Sequence, residues 1–177
     1  PTIAFIQGDG QINDGESAAG FGDGSSMGGD TIAKAFRDAT EDDNVKAILF
    51  RVNSPGGSAL ASDQILDAVK KAQKAGKKVV VSMGSMAASG GYYSAASADA
   101  IIAARSTITG SIGVFGGKFA IADGLRQFGI NPDSVSVGGE FTSAYSTEKL
   151  TPTQRARLLE GLQATYDRFT GIVAEGR

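Results

Sequence analysis

The sequence predicts an α/β domain built on a largely parallel sheet, and three observations lead there. Apolar runs at Ile3-Ala4-Phe5-Ile6, Ala47-Ile48-Leu49-Phe50, Val79-Val80-Val81 and Ala100-Ile101-Ile102-Ala103-Ala104 read as strands. The second of these is too continuous for a half-exposed sheet. Segments with helical apolar spacing lie between them, and a βαβαβ order calls for parallel strands with right-handed crossovers, which gathers the loops after the strands at one end.

Composition sets the outer bounds. The chain has 177 residues, 41% hydrophobic and 20% charged, which suits one globular domain with a sizeable core. A net charge of -2 gives no basic surface for nucleic acid. Cysteine is absent, which removes disulfides, a thiol nucleophile and thiolate metal sites. Histidine is absent too, so a serine nucleophile here cannot pass its proton to imidazole, and lysine or a carboxylate is left as base. Neither a metal nor a cofactor is called for. No stretch approaches the ~20 consecutive apolar residues of a membrane span. The chain opens directly on a strand pattern, which predicts that it is excised from something longer.

In order along the chain, Thr2 to Gln7 is the first strand, followed by a glycine-rich polar loop from Gly8 to Gly29, expected to be mobile. Asp30 is placed to cap a helix ending near Glu41, with Ile32, Ala35, Phe36 and Ala39 on one face. Lys46 to Val52 is the second strand. Asn53-Ser54-Pro55-Gly56-Gly57-Ser58 then turns into a helix carrying Ile65, Leu66, Val69 and Ala72. These glycines suit either a tight βα turn or backbone N–H groups aimed at a carbonyl oxygen, and the lysine and hydroxyl of a phosphate-binding loop are missing. Gly76 ends that helix as its C′ residue, after Lys70, Lys71 and Lys74.

The Val79 strand breaks into Met83-Gly84-Ser85-Met86-Ala87-Ala88-Ser89-Gly90-Gly91-Tyr92-Tyr93, the stretch around which the other motifs are arranged. Ser89 stands where a short helix opens and N–H groups have no intrahelical partner. That is a place for a nucleophile, though a serine before glycines is more commonly an ordinary N-cap. Beyond it come the strand at Ala100 to Ala104, a hydroxyl-rich loop from Arg105 to Val114, a helix near Ala120 to Phe128, a strand near Ser134 to Val137 and a loop from Gly138 to Leu150, mobile around Phe141 to Ser146. Thr151-Pro152-Thr153-Gln154 matches a capping box with proline at the first helical position. Its helix bears a stripe of Leu158, Leu162, Tyr166, Phe169 and Val173, suited to core or subunit contact.

Taken together, Asn53-Ser-Pro-Gly-Gly57, Met86-Ala-Ala-Ser-Gly-Gly-Tyr92 and Thr109-Gly-Ser-Ile-Gly-Val114 resemble the signal peptide peptidase A (protease IV) family of the Clp protease and crotonase superfamily, across nearly the whole chain. The resemblance implies a Clp/crotonase-like superhelix of ββα units over residues 1–177. It also implies a serine peptidase with a Ser/Lys dyad that degrades cleaved signal peptides at the outer, periplasmic face of the bacterial cytoplasmic membrane, the anchor lying outside this chain. Carried over position by position, Ser89 is the nucleophile, Gly56 and Gly90 supply the oxyanion hole, and Ser111 orients the lysine. Met86, Ala87 and Ile112 would line apolar substrate pockets.

The base is where the sequence departs from that pattern. Short members carry the lysine on the strand after the stretch that here reads Gly129-Ile130-Asn131-Pro132-Asp133, and Ser136 occupies that position. Long members have tandem halves, the first bearing the lysine and the second the serine, and this chain resembles the second. The partners implied are signal peptide remnants, a lysine-bearing N-terminal half and further copies in a ring or dome. Lys118 and Lys149 do not match the family's base position, and the carboxylates Asp99 and Asp123 are no better placed. Two rival functions use the same turns without the serine chemistry: a crotonase-type acyl-CoA enzyme and a catalytically silent structural half.

Overall fold

The computed structural model describes residues 1–19, 24–133, 135, 137–139 and 144–177. The described residues pack as two compact units, 1–113 with 168–177 and 114–167.

The larger unit has the expected α/β architecture. Its strands β1 (Thr2–Asp9), β4 (Val45–Ser54), β5 (Lys78–Ala88) and β6 (Ala100–Ile102) lie in that order, every pairing parallel, and β7 (Ile108–Gly110) joins the far end of β5. One face of the sheet packs on α1 (Gly29–Glu41) and α2 (Ala59–Lys74). Ile48, Phe50 and Val52 from β4 and Val79 and Val81 from β5 meet Ile32, Phe36, Ile65 and Val69 there, all at most 3% exposed. Phe36 and Phe50 close the centre edge to face at 5.2 Å, a favoured aromatic geometry.

Several elements differ from the sequence reading for local reasons. The loop after β1 is not structureless: β2 (Gln11–Asn13) and β3 (Ser26–Gly28) form a parallel pair, with Ile12 and Met27 buried. Ile12 also bonds the turn after β4, receiving from the Ser58 N–H and donating to the Gly56 carbonyl, so this segment is tied to the main sheet rather than free. Asp30 does not cap α1. Gly28 is the N-cap, and the Asp30 carboxylate instead accepts from Gln64 Nε2 at 2.7 Å. β5 does not end at Val81. It bulges away from β4 after Met83 and rejoins it at Ala87, with Asn53 Oδ1 filling the gap by accepting from Ser85 Oγ and the Met86 N–H. The strand expected to reach Ala104 stops at Ile102, and the hydroxyl-rich loop contains β7. After β1 the chain passes through β2 and β3 into α1, whereas β4 leads directly into α2.

Gly76 has a φ of +85°, and its N–H reaches the Gln73 carbonyl, which makes it the expected C′ residue of α2. α3 (Gly90–Ala95) follows β5. In the smaller unit α4 (Ala122–Gln127) is shorter than expected. Val135 and Val137 are not in a strand, while Ser134, Ser136 and residues 140–143 lie outside the described residues, as do 20–23 of the first loop. The capping box forms as read: Gln154 N–H donates to Thr151 Oγ1 at 3.2 Å and the Thr151 N–H to Gln154 Oε1 at 3.0 Å, opening α5 (Pro152–Gly176). No helix among the described residues is long and apolar enough to cross a membrane.

Asp99 ties the edge of the sheet together. It accepts from Lys78 Nζ at 2.8 Å, the Val79 N–H at 2.9 Å and Gln73 Nε2 at 3.0 Å, and these bonds, led by the lysine, lower its carboxyl from 3.8 to about 2. A depressed carboxylate contributes stability that is present above its unfolded pKa and lost as pH falls through the folded one. Stability is therefore expected to fall between pH about 4 and about 2, by ~1 kcal/mol or less from this group because solvent screens an exposed carboxylate. Denaturant titrations of the parent and Asp99→Asn should diverge above pH about 4 and converge near pH about 2. Parallel curves would remove Asp99 as the cause.

Candidate active site

Among the described residues, the non-glycine residues with positive φ are Ser89, at +50°, and Ser111, at +48°. A left-handed backbone costs a side-chain-bearing residue on the order of 1–3 kcal/mol and persists only where surrounding structure enforces it. At Ser89 the enforcement is visible. Its N–H donates to the Gly110 carbonyl at 2.9 Å, one residue before Ser111, and its carbonyl receives the Tyr93 N–H at 2.8 Å. The two strained serines are thus held by one backbone bond where β5 and β7 end.

The capping alternative for Ser89 does not hold, because its side chain makes no capping hydrogen bond to α3. A sharp strand-to-helix turn of this kind presents the serine oxygen instead of folding it back. Ser89 is half-buried, and its Oγ has no hydrogen-bond partner among the described residues.

Glycines make the close approach possible. Gly56 has a φ of +99°, and a Cβ there would lie 2.7 Å from the Gly90 nitrogen and 2.8 Å from Ser89 Cβ. A Cβ on Gly90 would meet Ser62 Oγ at 2.3 Å and the Gly57 nitrogen at 3.3 Å. The turns after β4 and β5 are therefore pressed together, backbone on backbone. The Gly56 N–H is not directed outward, however: it donates to the buried Ser54 Oγ at 3.1 Å. Neither the Gly57 nor the Gly90 N–H has a partner among the described residues, and Gly57 is exposed. Gly57, which the sequence reading did not single out, therefore offers an N–H at this turn, while the buried Ser54 hydroxyl two residues back occupies the Gly56 N–H.

Of the remaining expectations, Met86 is half-buried and Ile112 is 38% exposed, but Ala87 is fully buried and cannot line an open pocket. Lys118 is half-buried and donates to the Ala144 and Ser146 carbonyls at 2.7 and 2.8 Å. Lys149 pairs with Asp123 at 2.7 Å on the surface. In the larger unit Lys34, Lys70, Lys71 and Lys78 face carboxylates, and Lys46 and Lys77 bond main-chain carbonyls. Lys74 lies in the last turn of α2, roughly 20 Å along the helix from the Gly57 end. Among the described residues no group of acids suited to a metal ion occurs.

Behind the serine, α3 is anchored by a network. Tyr93 Oη donates to Asp63 Oδ1 at 2.7 Å, and Arg168 reaches both, at 3.0 Å to the Tyr93 oxygen and 2.6 Å to Asp63. Burial, and then the Asp63 carboxylate, push the Tyr93 hydroxyl up to about 12, so it stays a neutral donor. Tyr93 also packs edge to face on Phe169 at 5.0 Å, and Arg177 donates to the Ala96 and Ala98 carbonyls. The end of α5 thereby fixes the six-residue helix that carries the Gly90 N–H.

Residues 71–177, which include Ser89, Gly90 and Ser111, match the family model described as Peptidase family S49. The chain belongs to peptidase family S49. Among its S49 relatives, Protease 4 of Haemophilus influenzae is 44% identical over 99% of this chain and 28% of that protein. Protease 4 of Salmonella typhi is similar to the same extent, and the chloroplastic serine protease SPPA of Arabidopsis thaliana is 36% identical over 87% of this chain and 23% of its own length. This chain thus spans under a third of the length of these three relatives. ClpP1 from Listeria monocytogenes overlaps 53% of this chain and 46% of its own, with 22% identity and a TM-score of 0.41, too loose an overlap to add to the assignment.

Proposed function

We propose that this chain is the serine-bearing part of a Ser/Lys peptidase that degrades cleaved signal peptides at the outer face of the bacterial cytoplasmic membrane, with the lysine supplied from outside the chain. The observation that carries the proposal is the pair of strained serines, Ser89 and Ser111, bridged through Gly110. Membership of a peptidase family supports the class of reaction, and the serine protease SPPA relative supports the nucleophile.

In this reading Ser89 Oγ attacks the scissile carbonyl carbon and yields its proton to a neutral lysine amine. The carbonyl π electrons move onto the oxygen, which receives hydrogen bonds from the Gly90 and Gly57 N–H groups. Collapse of the tetrahedral species expels the amine, which takes the proton back from the lysine, and leaves an acyl-serine for water to hydrolyse. Each oxyanion donor of this kind is worth roughly 3–4 kcal/mol. Gly56, assigned as a donor from sequence, becomes the spacer that lets the two turns meet, because its N–H is engaged by Ser54. Ser111 orients the incoming ammonium. The peptide enters as an apolar chain past Met86 and Ile112, and the active assembly contains several copies.

Prolonged exposure to excess fluorophosphonate at pH about 9, where a lone serine reacts slowly, tests the nucleophile. One adduct should form, and peptide mapping should place it on Ser89; Ser89→Ala should carry none. An adduct spread over several serines, or none even beside a lysine-bearing homologous half, would sink the peptidase reading and return the acyl-CoA and structural alternatives.

A further inference from the structure

A donor N–H is only as well aimed as the peptide that carries it. The Gly57 N–H shares a planar trans peptide with the Gly56 carbonyl, so the two point in opposite directions and fixing one fixes the other. Glycines on both sides of that peptide leave it free to rotate unless something outside the turn holds it. What holds it is β2. The Ile12 N–H donates to the Gly56 carbonyl at 2.9 Å and the Ile12 carbonyl receives the Ser58 N–H at 2.8 Å, a pair of bonds that brackets Gly57. The approach is so close that a Cβ on Gly57 would lie 2.0 Å from the Ile12 carbonyl oxygen.

The same residue reaches the second donor. Ile12 is fully buried, and a Cβ on Gly90 would meet its Cδ1 at 3.3 Å, so its main chain holds one oxyanion turn while its side chain packs on the other. β2 is itself fixed at both ends. The Gly10 N–H donates to the Asn53 carbonyl at 2.9 Å, and the Gly15 carbonyl accepts the Asp30 N–H at 2.9 Å where α1 begins. Asp14 adds a side-chain link: its carboxylate accepts from Ser58 Oγ, and that oxygen receives the Ala61 N–H at 3.2 Å as the N-cap of α2. A charge-assisted bond thus locks the end of the turn to β2. All of these residues lie in the larger unit.

We propose that β2 is the brace that aims the Gly57 N–H at the oxyanion, with Ile12 and Asp14 as its positioning residues. The inference rests on the peptidase reading above and deepens it. Ile12 acts through the Gly56 carbonyl and Asp14 through Ser58, and neither exchanges a proton with the substrate. Without the Ile12 bond the peptide between Gly56 and Gly57 can turn its N–H away from the site. A donor of this kind gains strength as charge develops on the carbonyl oxygen, so aiming it acts on turnover and leaves ground-state binding alone.

The test uses the assembly of this chain with a lysine-bearing half, each form assayed well below its melting midpoint. Replacing the amide between Gln11 and Ile12 by an ester, through ligation of a synthetic N-terminal segment, deletes the Ile12 N–H and keeps the side chain. kcat should fall ~100-fold while KM stays within about 2-fold. Asp14→Ala should lower kcat ~10-fold, and Asp14→Asn, whose amide oxygen still accepts from Ser58, should recover most of that loss. A peptide aldehyde, whose tetrahedral adduct on Ser89 carries the oxyanion, should bind more weakly by the same factors, whereas the matching peptide alcohol, which forms no adduct, should bind as before. An active parent whose ester form keeps its kcat would overturn the brace. Equal losses for aldehyde and alcohol would overturn it too, because a loosened fold and not a misaimed donor would then be responsible. Asp14→Asn no better than Asp14→Ala would remove Asp14 from the brace. A parent assembly that neither cleaves peptides nor prefers the aldehyde would instead refute the peptidase reading, and the brace would fall with it.

Discussion

Gly56→Ala is expected to lower the thermal midpoint by roughly 6–12 °C and to suppress the reactivity of Ser89 at temperatures where the protein is still folded. Two costs combine. Alanine is strained at a φ of +99°, and its Cβ would sit 2.7 Å from the Gly90 nitrogen, 2.8 Å from Ser89 Cβ and 2.9 Å from the Ala88 carbonyl oxygen. None of these is the free end of a flexible side chain, so relief comes only by parting the turns after β4 and β5. Together the costs are about 3 kcal/mol. Gly76→Ala is the control: φ is +85°, but a Cβ there meets nothing within 4 Å, so only the backbone cost of about 1 kcal/mol applies. Melting curves followed by circular dichroism, with fluorophosphonate labelling measured well below each midpoint, separate the two contributions. Equal midpoints for the two variants would mean that the turns are not pressed together as described.

How far the sequence discloses this site depends on how local each determinant is. Gly76 and the Thr151-to-Gln154 box were legible because a helix end is decided within one turn by side chains a few residues apart. Ser89 and Ser111 were singled out by motif, yet their left-handed backbones and the bond through Gly110 join segments about twenty residues apart in sequence, beyond what periodicity reads. The short strands β2 and β3 were missed for the same reason: Ile12 is held by bonds to Gly56 and Ser58, more than forty positions on. The choice between the Gly56 and Gly57 N–H groups was out of reach because it turns on the direction of one buried hydroxyl, that of Ser54. The continuous apolar runs of β1 and β4 marked strands and suited a sheet buried on both faces, but which helices pack on which face is not written in any one strand.

A pure preparation of this chain should hydrolyse signal-peptide sequences at no more than about a hundredth of the rate of its assembly with a lysine-bearing half, because a positioned general base contributes roughly 10²–10⁴-fold. Each lysine is occupied or remote within its own unit, and Ser89 Oγ makes no hydrogen bond among the described residues. Ser136→Lys should restore a base, since the resemblance places the lysine of short members at that position. The resemblance implies that this lysine meets Ser111 in a site closed to water, where the ammonium would lose hydration and its pKa would fall, because desolvation disfavours the charged form. Only the neutral amine accepts the Ser89 proton, so the labelling rate should be low at pH about 6 and rise toward pH about 10. If the lysine serves a serine on another copy, the rate should also climb faster than linearly with protein concentration until assembly is complete. Fluorophosphonate acylation followed across that pH range and a wide dilution series reads both dependences. Fast hydrolysis by the parent chain, abolished in Ser89→Ala, would refute the missing base. No gain in a Ser136→Lys variant shown by light scattering to be assembled would instead place the lysine position elsewhere on the chain.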